Sequence, residues 1–283
     1  MEPVYYRNDR QSRGLQKLQA VQMDILRDVL SFCEEHGITT FLVAGSALGA
    51  ERHGGMIPWD DDIDLGMMRE DYDRFIRLWR QESRCPHILQ CSASENGYPH
   101  DSAKILMPGT AVRISEFEGT GFRDGIFIDI FPFDRRLKSK ALTAAQTWIL
   151  GALNLILMSY SRNVVSLTRS RSYRLIRRLA FHLRKFLPLQ LLTRIRAWIS
   201  AARPFAKGEE IVCYEMYGFA RHRKTIIDGD TILPPNRAEF GEQLVPVPKN
   251  NAAYLARLFG EYRKLPPETQ RVPHHIGEAD FAD

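Results

Sequence analysis

Four aspartates, Asp60, Asp61, Asp62 and Asp64, fall within one run of five residues. Carboxylates this close raise one another's pKa unless a cation neutralises them. An acidic surface loop is the bland alternative. Against it, the cluster sits in an apolar frame, with Ile57-Pro58-Trp59 before it and Leu65-Gly66-Met67 after it. Residues 62–67 read as a strand, so Asp62 and Asp64 point to one face. Asp129 lies in a second strand-like run, Ile126 to Phe131, with Ile126, Ile128 and Ile130 on the opposite face. A buried lone Asp is costly and needs a partner. If the two strands are neighbours, facing side chains lie roughly 5 Å apart. Three oxygen donors on one face, with no cysteine nearby, suit a hard cation such as Mg2+ or Mn2+. The expected metal ligands are Asp62, Asp64 and Asp129.

These carboxylates need a frame. Apolar residues at helical spacing from Leu15 to Cys33 predict a helix ending near Gly37. Ile38 to Ala44 is a dense apolar run, read as a buried strand. Gly45-Ser46 and a short helical turn through Ala50 follow. A glycine between a buried strand and a helical turn presents N–H groups to an anion. Strand, Gly-Ser, helical turn, then a strand with Asp-x-Asp is the organisation of the nucleotidyltransferase fold. The expected fold class is therefore α/β (α+β), a nucleotidyltransferase-like mixed sheet flanked by helices. Further elements are expected as a helix over 71–80, strands over 87–90, 103–107 and 111–115, an extended run at Val245-Pro246-Val247-Pro248, and a helix over 252–259.

Charge is divided unevenly. From Arg135 to Gly208 there is no Asp or Glu, yet 16 of the 39 Lys and Arg fall there. The rest of the chain carries 23 basic against 34 acidic residues. This predicts a catalytic core over 1–134, a basic helical insert over 135–208, and a segment over 209–283 that completes the core. A stretch this basic implies an anionic partner. Ser166 to Phe186 and Leu189 to Ala206 read as basic amphipathic helices of the in-plane membrane type. Ala141 to Ser161 is uncharged, and about 20 residues suffice to cross a bilayer. Thr143, Gln146, Thr147, Asn154 and Ser159 weaken that reading, so a buried or half-embedded helix is expected. Nucleic acid is not an expected partner, because the basic helices carry an apolar face and the body is acidic. The four cysteines show no C-x-x-C spacing, and no signal-peptide pattern is present. This points to the cytoplasm, with peripheral attachment to the inner face of the membrane.

The run from Phe41 to Asp64, with Gly45-Ser46, Arg52-His53 and Pro58-Trp59-Asp60-Asp61-Asp62-Ile63-Asp64, closely resembles the signature of the LicD family. Gly125 to Asp134 resembles its second signature. Val245-Pro246-Val247-Pro248, Tyr254-Leu255, Phe259-Gly260 and Leu265-Pro266-Pro267 resemble its C-terminal block. The basic middle has no match. The resemblance implies transfer of an alcohol phosphate, phosphocholine foremost, from a CDP-alcohol to a hydroxyl of a surface glycan or its polyprenyl-linked precursor, with CMP leaving. A divalent ion on Asp62, Asp64 and Asp129 would neutralise the diphosphate. Asp60, or one of those three, would accept the hydroxyl proton. Gly45 and Ser46 are expected to hold phosphate, with Arg52, His53 and Lys104 as further anion-binding candidates. His274-His275 falls near the family's terminal histidines, although a tail without function is the simpler reading. Trp59 would either bind a choline ammonium by cation–π attraction or pack the loop beneath the aspartates. Two readings compete: a nucleotidyltransferase that uses an NTP, and a membrane-bound scaffold without turnover.

Overall fold

Helix α1 (Asp9–Glu35) buries Leu15, Leu18, Ile25, Leu26, Val29 and Cys33 along one stripe, as their spacing requires. A computed structural model of the chain describes residues 9–82, 85–95, 98–114, 123, 125–158, 188–202, 209–215, 222–273 and 276–280. In chain order, β1 (Thr40–Leu42), α2 (Ala44–His53), β2 (Asp64–Met68) and α3 (Arg69–Gln81) come first. Then come β3 (Ile88–Gln90), β4 (Ala103–Leu106), β5 (Ala111–Ile114) and β6 (Phe127–Arg135). Helices α4 (Lys140–Met158) and α5 (Leu189–Ala201) precede β7 (Glu210–Val212), β8 (Ile227–Asp228) and α6 (Gly229–Ile232). The chain closes with β9 (Asn236–Phe240), β10 (Gln243–Val247), α7 (Asn251–Phe259) and β11 (Ile276–Asp280).

The central sheet runs in the order β1-β2-β6-β4-β3, and β7 and β8 extend it from the far end of β6. Strands β2 and β6 are parallel; β1, β4 and β7 pair antiparallel to their neighbours. This is the mixed α/β architecture expected from the sequence. Three boundaries that bear on the site differ. The first aspartate strand begins at Asp64, so Asp62 lies in the loop just before it. The second runs past Phe131 to Arg135, because Asp134 and Arg135 pair with Val212 and Ile211 of β7. Helix α2 also begins earlier than expected and takes Gly45 and Ser46 into its first turn.

Phe41, Leu65, Phe75, Ile128, Ile130 and Phe133 fill the core between the sheet and helices α1 and α3. A buried ionic group ties α3 to the sheet. The Arg69 guanidinium donates to both oxygens of Asp134, at 2.8 Å each, and to both of Asp101, at 2.7 and 3.2 Å. The backbone N–H groups of Asp101 and Ser102 donate to Glu215, which also meets His100 and lies 3.6 Å from Arg196 of α5. Helices α4 and α5 pack on each other: the Gln146 amide of α4 donates to the carbonyl of Ile199 at 2.7 Å. No helix among the described residues is long and apolar enough to cross a membrane. The expected basic helix over 166–186 lies outside the described residues, as does His274-His275.

Two outcomes follow. Asp134→Asn leaves the Arg69 charge partly uncompensated in the interior, so urea denaturation should show a loss of about 3–5 kcal/mol. Burial alone would raise the Glu215 carboxyl, but Arg196, His100 and the Ser102 N–H outweigh it and hold it at about 2, against an ordinary 4.5. A depressed pKa contributes stability that is complete above about 4.5 and is lost as pH falls toward 2. Thermal unfolding of Glu215→Gln should therefore lie below wild type at neutral pH, and the two curves should converge over that acid window.

Candidate active site

The acidic loop is built from below by two glutamines of α1. Gln19 donates its amide to the carbonyls of Ile57 and Asp60, at 3.2 and 2.8 Å. Gln22, fully buried on the apolar stripe, donates to the carbonyls of Asp61 and Phe127, at 2.9 and 3.0 Å. One side chain thus joins the loop to the start of β6. From above, the Ser46 hydroxyl accepts the Asp64 N–H at 2.8 Å. The Asp129 N–H donates to the carbonyl of Ile63 at 2.9 Å. At Gly49 an added Cβ would stand 2.4 Å from the Gly55 carbonyl oxygen, so only glycine lets the 54–57 loop close on α2.

Asp64 and Asp129 are partners in the parallel β2–β6 register. Among the described residues, the group of three carboxylates whose oxygens all lie within 4.8 Å of one another is Asp60, Asp61 and Asp62. Of the expected ligands Asp62, Asp64 and Asp129, only Asp62 belongs to that group, and Asp129 is held by a cationic side chain. Both its oxygens accept from Lys104 Nζ at 2.8 Å, and Lys104 is its register partner on β4. Burial, then the charges of Asp62, Asp129 and Asp60, push the Asp64 carboxyl well up, against the pull of Lys104. The carboxylates outnumber the ammonium set against them, so the donor set fits a divalent cation with oxygen ligands.

The other wall is cationic. Arg52 donates from Nε to Nε2 of His53 at 3.0 Å and to the carbonyl of Tyr262 at 3.0 Å. The guanidinium carbons of Arg52 and Arg271 lie 6.0 and 5.6 Å from the centroid of the Trp59 ring. Burial, then the neighbouring Arg271 charge, push Arg52 down; burial and Arg52 push His53 down. Two guanidinia held near each other favour an anion between them. The C-terminal segment closes this wall. The Ala44 N–H donates to the Tyr254 hydroxyl at 3.0 Å, and the Asn251 amide donates to the carbonyl of Ala47 at 3.2 Å.

The structure thus brings Gly45, Ser46, Asp60, Asp62, Asp64, Asp129 and Lys104 into one acidic neighbourhood, with Arg52, His53 and Trp59 beside it. Ser46 and Lys104 take a different part from the one expected, Lys104 being tied to both oxygens of Asp129, and Trp59 takes the second of its two. Ser46 is buried and tied to Asp64, so it positions that strand rather than presenting a donor at the surface. Trp59 is 6% exposed beneath two guanidinia, which is the packing arrangement and leaves no open aromatic face for an ammonium. Sequence reasoning placed Asp61 in the acidic run without assigning it to the site, and missed Gln19, Tyr254 and Arg271. One signal was available: Gln22 is a polar residue on an otherwise apolar helical stripe.

Residues 37–154 match the family described as LicD/FKTN/FKRP, nucleotidyltransferase domain. The chain carries a LicD-family domain. It is 26% identical to the lipopolysaccharide cholinephosphotransferase LicD of Haemophilus influenzae over 282 residues, covering 94% of this chain and 97% of that protein. It is 30% identical over 123 residues to the human and mouse ribitol 5-phosphate transferase FKRP, covering 44% of this chain and 22% of those proteins. With this LicD-family domain, the chain is a LicD-like enzyme of the phosphotransferase class.

The geometry yields a separable test. An added Cβ at Gly45 would stand 2.7 Å from Oδ2 of Asp60, a side-chain atom that can move. Gly45→Ala should therefore keep its free energy of unfolding within about 1 kcal/mol of wild type. Its turnover should fall by about tenfold or more, because a group displaced by about 1 Å loses its alignment. Equal losses of stability and activity would contradict a role for this close approach in placing Asp60.

Proposed function

We propose that this protein transfers an alcohol phosphate, phosphocholine foremost, from a CDP-alcohol to a hydroxyl of a glycan or its lipid-linked precursor, releasing CMP. The observation that carries the reading is the opposition of two walls: carboxylates at the heads of β2 and β6, and the Arg52–Arg271 pair beside them. A donor diphosphate needs both, one wall to hold a cation and one to hold phosphate oxygens directly. The full-length similarity to a cholinephosphotransferase supports phosphocholine as the transferred group.

Asp62, Asp64 and Asp129 are the assigned ligands of a divalent ion, with Asp60 and Asp61 adjoining. When bound, that ion neutralises the diphosphate and stabilises charge as CMP departs. The chain's own groups do the rest. Arg52 and Arg271 orient the phosphates, with Trp59 packed beneath their guanidinia. Lys104 holds Asp129 in place through both carboxylate oxygens. The acceptor oxygen forms a bond to the phosphorus of the alcohol phosphate, the bond from that phosphorus to the CMP oxygen breaks, and Asp60 takes the hydroxyl proton. The division into a core over 1–134, an insert over 135–208 and a completing segment over 209–283 belongs to this reading. It is supported by the contacts of Tyr254 and Asn251 with α2.

The test is a donor screen with Mg2+ and an alkyl-linked glycan, scored for CMP and for pyrophosphate. CMP should appear with CDP-choline or a related CDP-alcohol. Pyrophosphate from CTP, with no CMP from any CDP-alcohol, would replace this reading with NTP-dependent nucleotidyl transfer. Asp64→Asn should lower turnover by about a hundred- to a thousandfold and weaken Mn2+ binding measured by calorimetry without donor. Arg271→Met should raise KM for the donor more than it lowers kcat, since it removes a contact to a charge present before and during reaction.

A further inference from the structure

Helices α4 and α5 bury Leu150, Leu157 and Leu192 yet also carry large apolar residues on their outer face. On α4 the inward positions include Thr143 and Gln146, both buried and both hydrogen-bonded within the protein. After Lys140 at its start, its exposed positions are Ala141, Leu142, Ala144, Ala145, Trp148, Ile149 and Ala152, without a polar side chain among them. On α5 the buried positions include Thr193, Arg196 and Ser200, while Leu191, Ile195 and Trp198 face out at i, i+4 and i+7. Arg196 is turned in toward Glu215, so α5 does not present all its cations to the outside as an ordinary basic amphipathic helix would. Trp148 and Trp198 are each 73% exposed, whereas Trp59 and Trp79 are buried. A water-facing helix pair does not arrange itself this way. A contiguous apolar patch of this kind marks a surface that something apolar covers.

We infer that the outer face of α4 and α5, centred on Trp148 and Trp198, seats the protein in the interface of an anionic lipid bilayer. Indole rings favour the headgroup boundary, where an apolar body and a polar N–H are both accommodated. Charge decides between a bilayer and a second copy of the chain. Lys138, Lys140 and Arg194 are exposed around the patch, and residues 135–208 contain no carboxylate. A twofold dimer would set this face against itself, bringing cation to cation with nothing in the segment to compensate. A leaflet of anionic lipid supplies the missing charge. The patch lies on different elements from the carboxylates and Arg52, so the inference does not depend on which donor the enzyme uses.

The experiment mixes the full chain with vesicles of phosphatidylglycerol and phosphatidylethanolamine, with phosphatidylcholine vesicles as the uncharged comparison. Because two of the four tryptophans are buried, a blue shift of emission reports Trp148 and Trp198. The expected result is a blue shift with the anionic vesicles and quenching by lipids brominated near the headgroup end of the acyl chain. Trp148→Ser combined with Trp198→Ser should lower the partition coefficient by about tenfold or more. The unfolding midpoint should stay unchanged, as both sites are exposed. CMP release on a soluble acceptor, measured in parallel, keeps this outcome separate from that of the reaction. Wild-type emission that neither shifts nor is quenched would overturn the inference, as would equal partitioning of the double variant. A blue shift that grows with protein concentration in the absence of lipid would assign the face to a second copy instead. The quenching result stands on the wild-type protein alone, whatever the variant's folding.

Discussion

Everything in this molecule has to accommodate one electrostatic cost: a set of aspartates assembled where two parallel strands begin. Parallel pairing puts residues of β2 and β6 side by side in register, so Asp64 cannot avoid Asp129. Repulsion of this sort would push a bare loop outward into water. Here it is resisted from three directions. Lys104 enters from the neighbouring antiparallel strand and takes both oxygens of Asp129. Ser46 holds the backbone at Asp64, and Gln19 and Gln22 hold the carbonyls of the loop before it. None of these bonds neutralises the whole cluster. They fix its backbone and leave its charge, which is the condition for a preformed cation site.

Much of this was legible from residue order, and what was legible has a common character. The alternation in Ile126 to Phe131 and the apolar run before Gly45 are local patterns, and local patterns set strand faces; the spacing of Asp62 and Asp64 was read the same way, but Asp62 lies in the loop before β2. They led directly to two neighbouring strands bearing aspartates. The failures were of another kind. Arg271 approaches Trp59 across more than two hundred residues of chain, and Gln22 reaches Phe127 across 105. No spacing rule connects such positions. Trp59 and Ser46 show a subtler limit. Both sit in the motif; Ser46 was read as ligand-facing and Trp59 was left between a ligand contact and a packing role, yet both are buried and support their neighbours. A motif marks the place where chemistry happens without separating the residues that touch the substrate from those that hold the others still.

The basic segment is not simply appended. Its helix α5 sends Arg196 to Glu215, Glu215 takes the N–H groups of Asp101 and Ser102, and Asp101 shares Arg69 with Asp134 of β6. The same strand carries Asp129 five residues earlier. Polar groups that a surface helix would ordinarily give to water are used here to key the helices onto the sheet. This explains how α4 and α5 keep apolar residues outward without falling away from the body. Buried polar contacts orient them, because each donor left unmatched in the interior would be costly.

The bond from the Ala44 N–H to the Tyr254 hydroxyl joins positions 210 residues apart. During synthesis the acidic loop and α2 leave the ribosome long before the helix that closes over them. At ordinary elongation rates the interval is roughly 10–40 s. For that time the nascent chain carries its aspartates without the wall that Tyr254, Tyr262 and Arg271 complete. The order of the polypeptide therefore acts as a timer, leaving the Ala44–Tyr254 closure until the residues around 254 have been made.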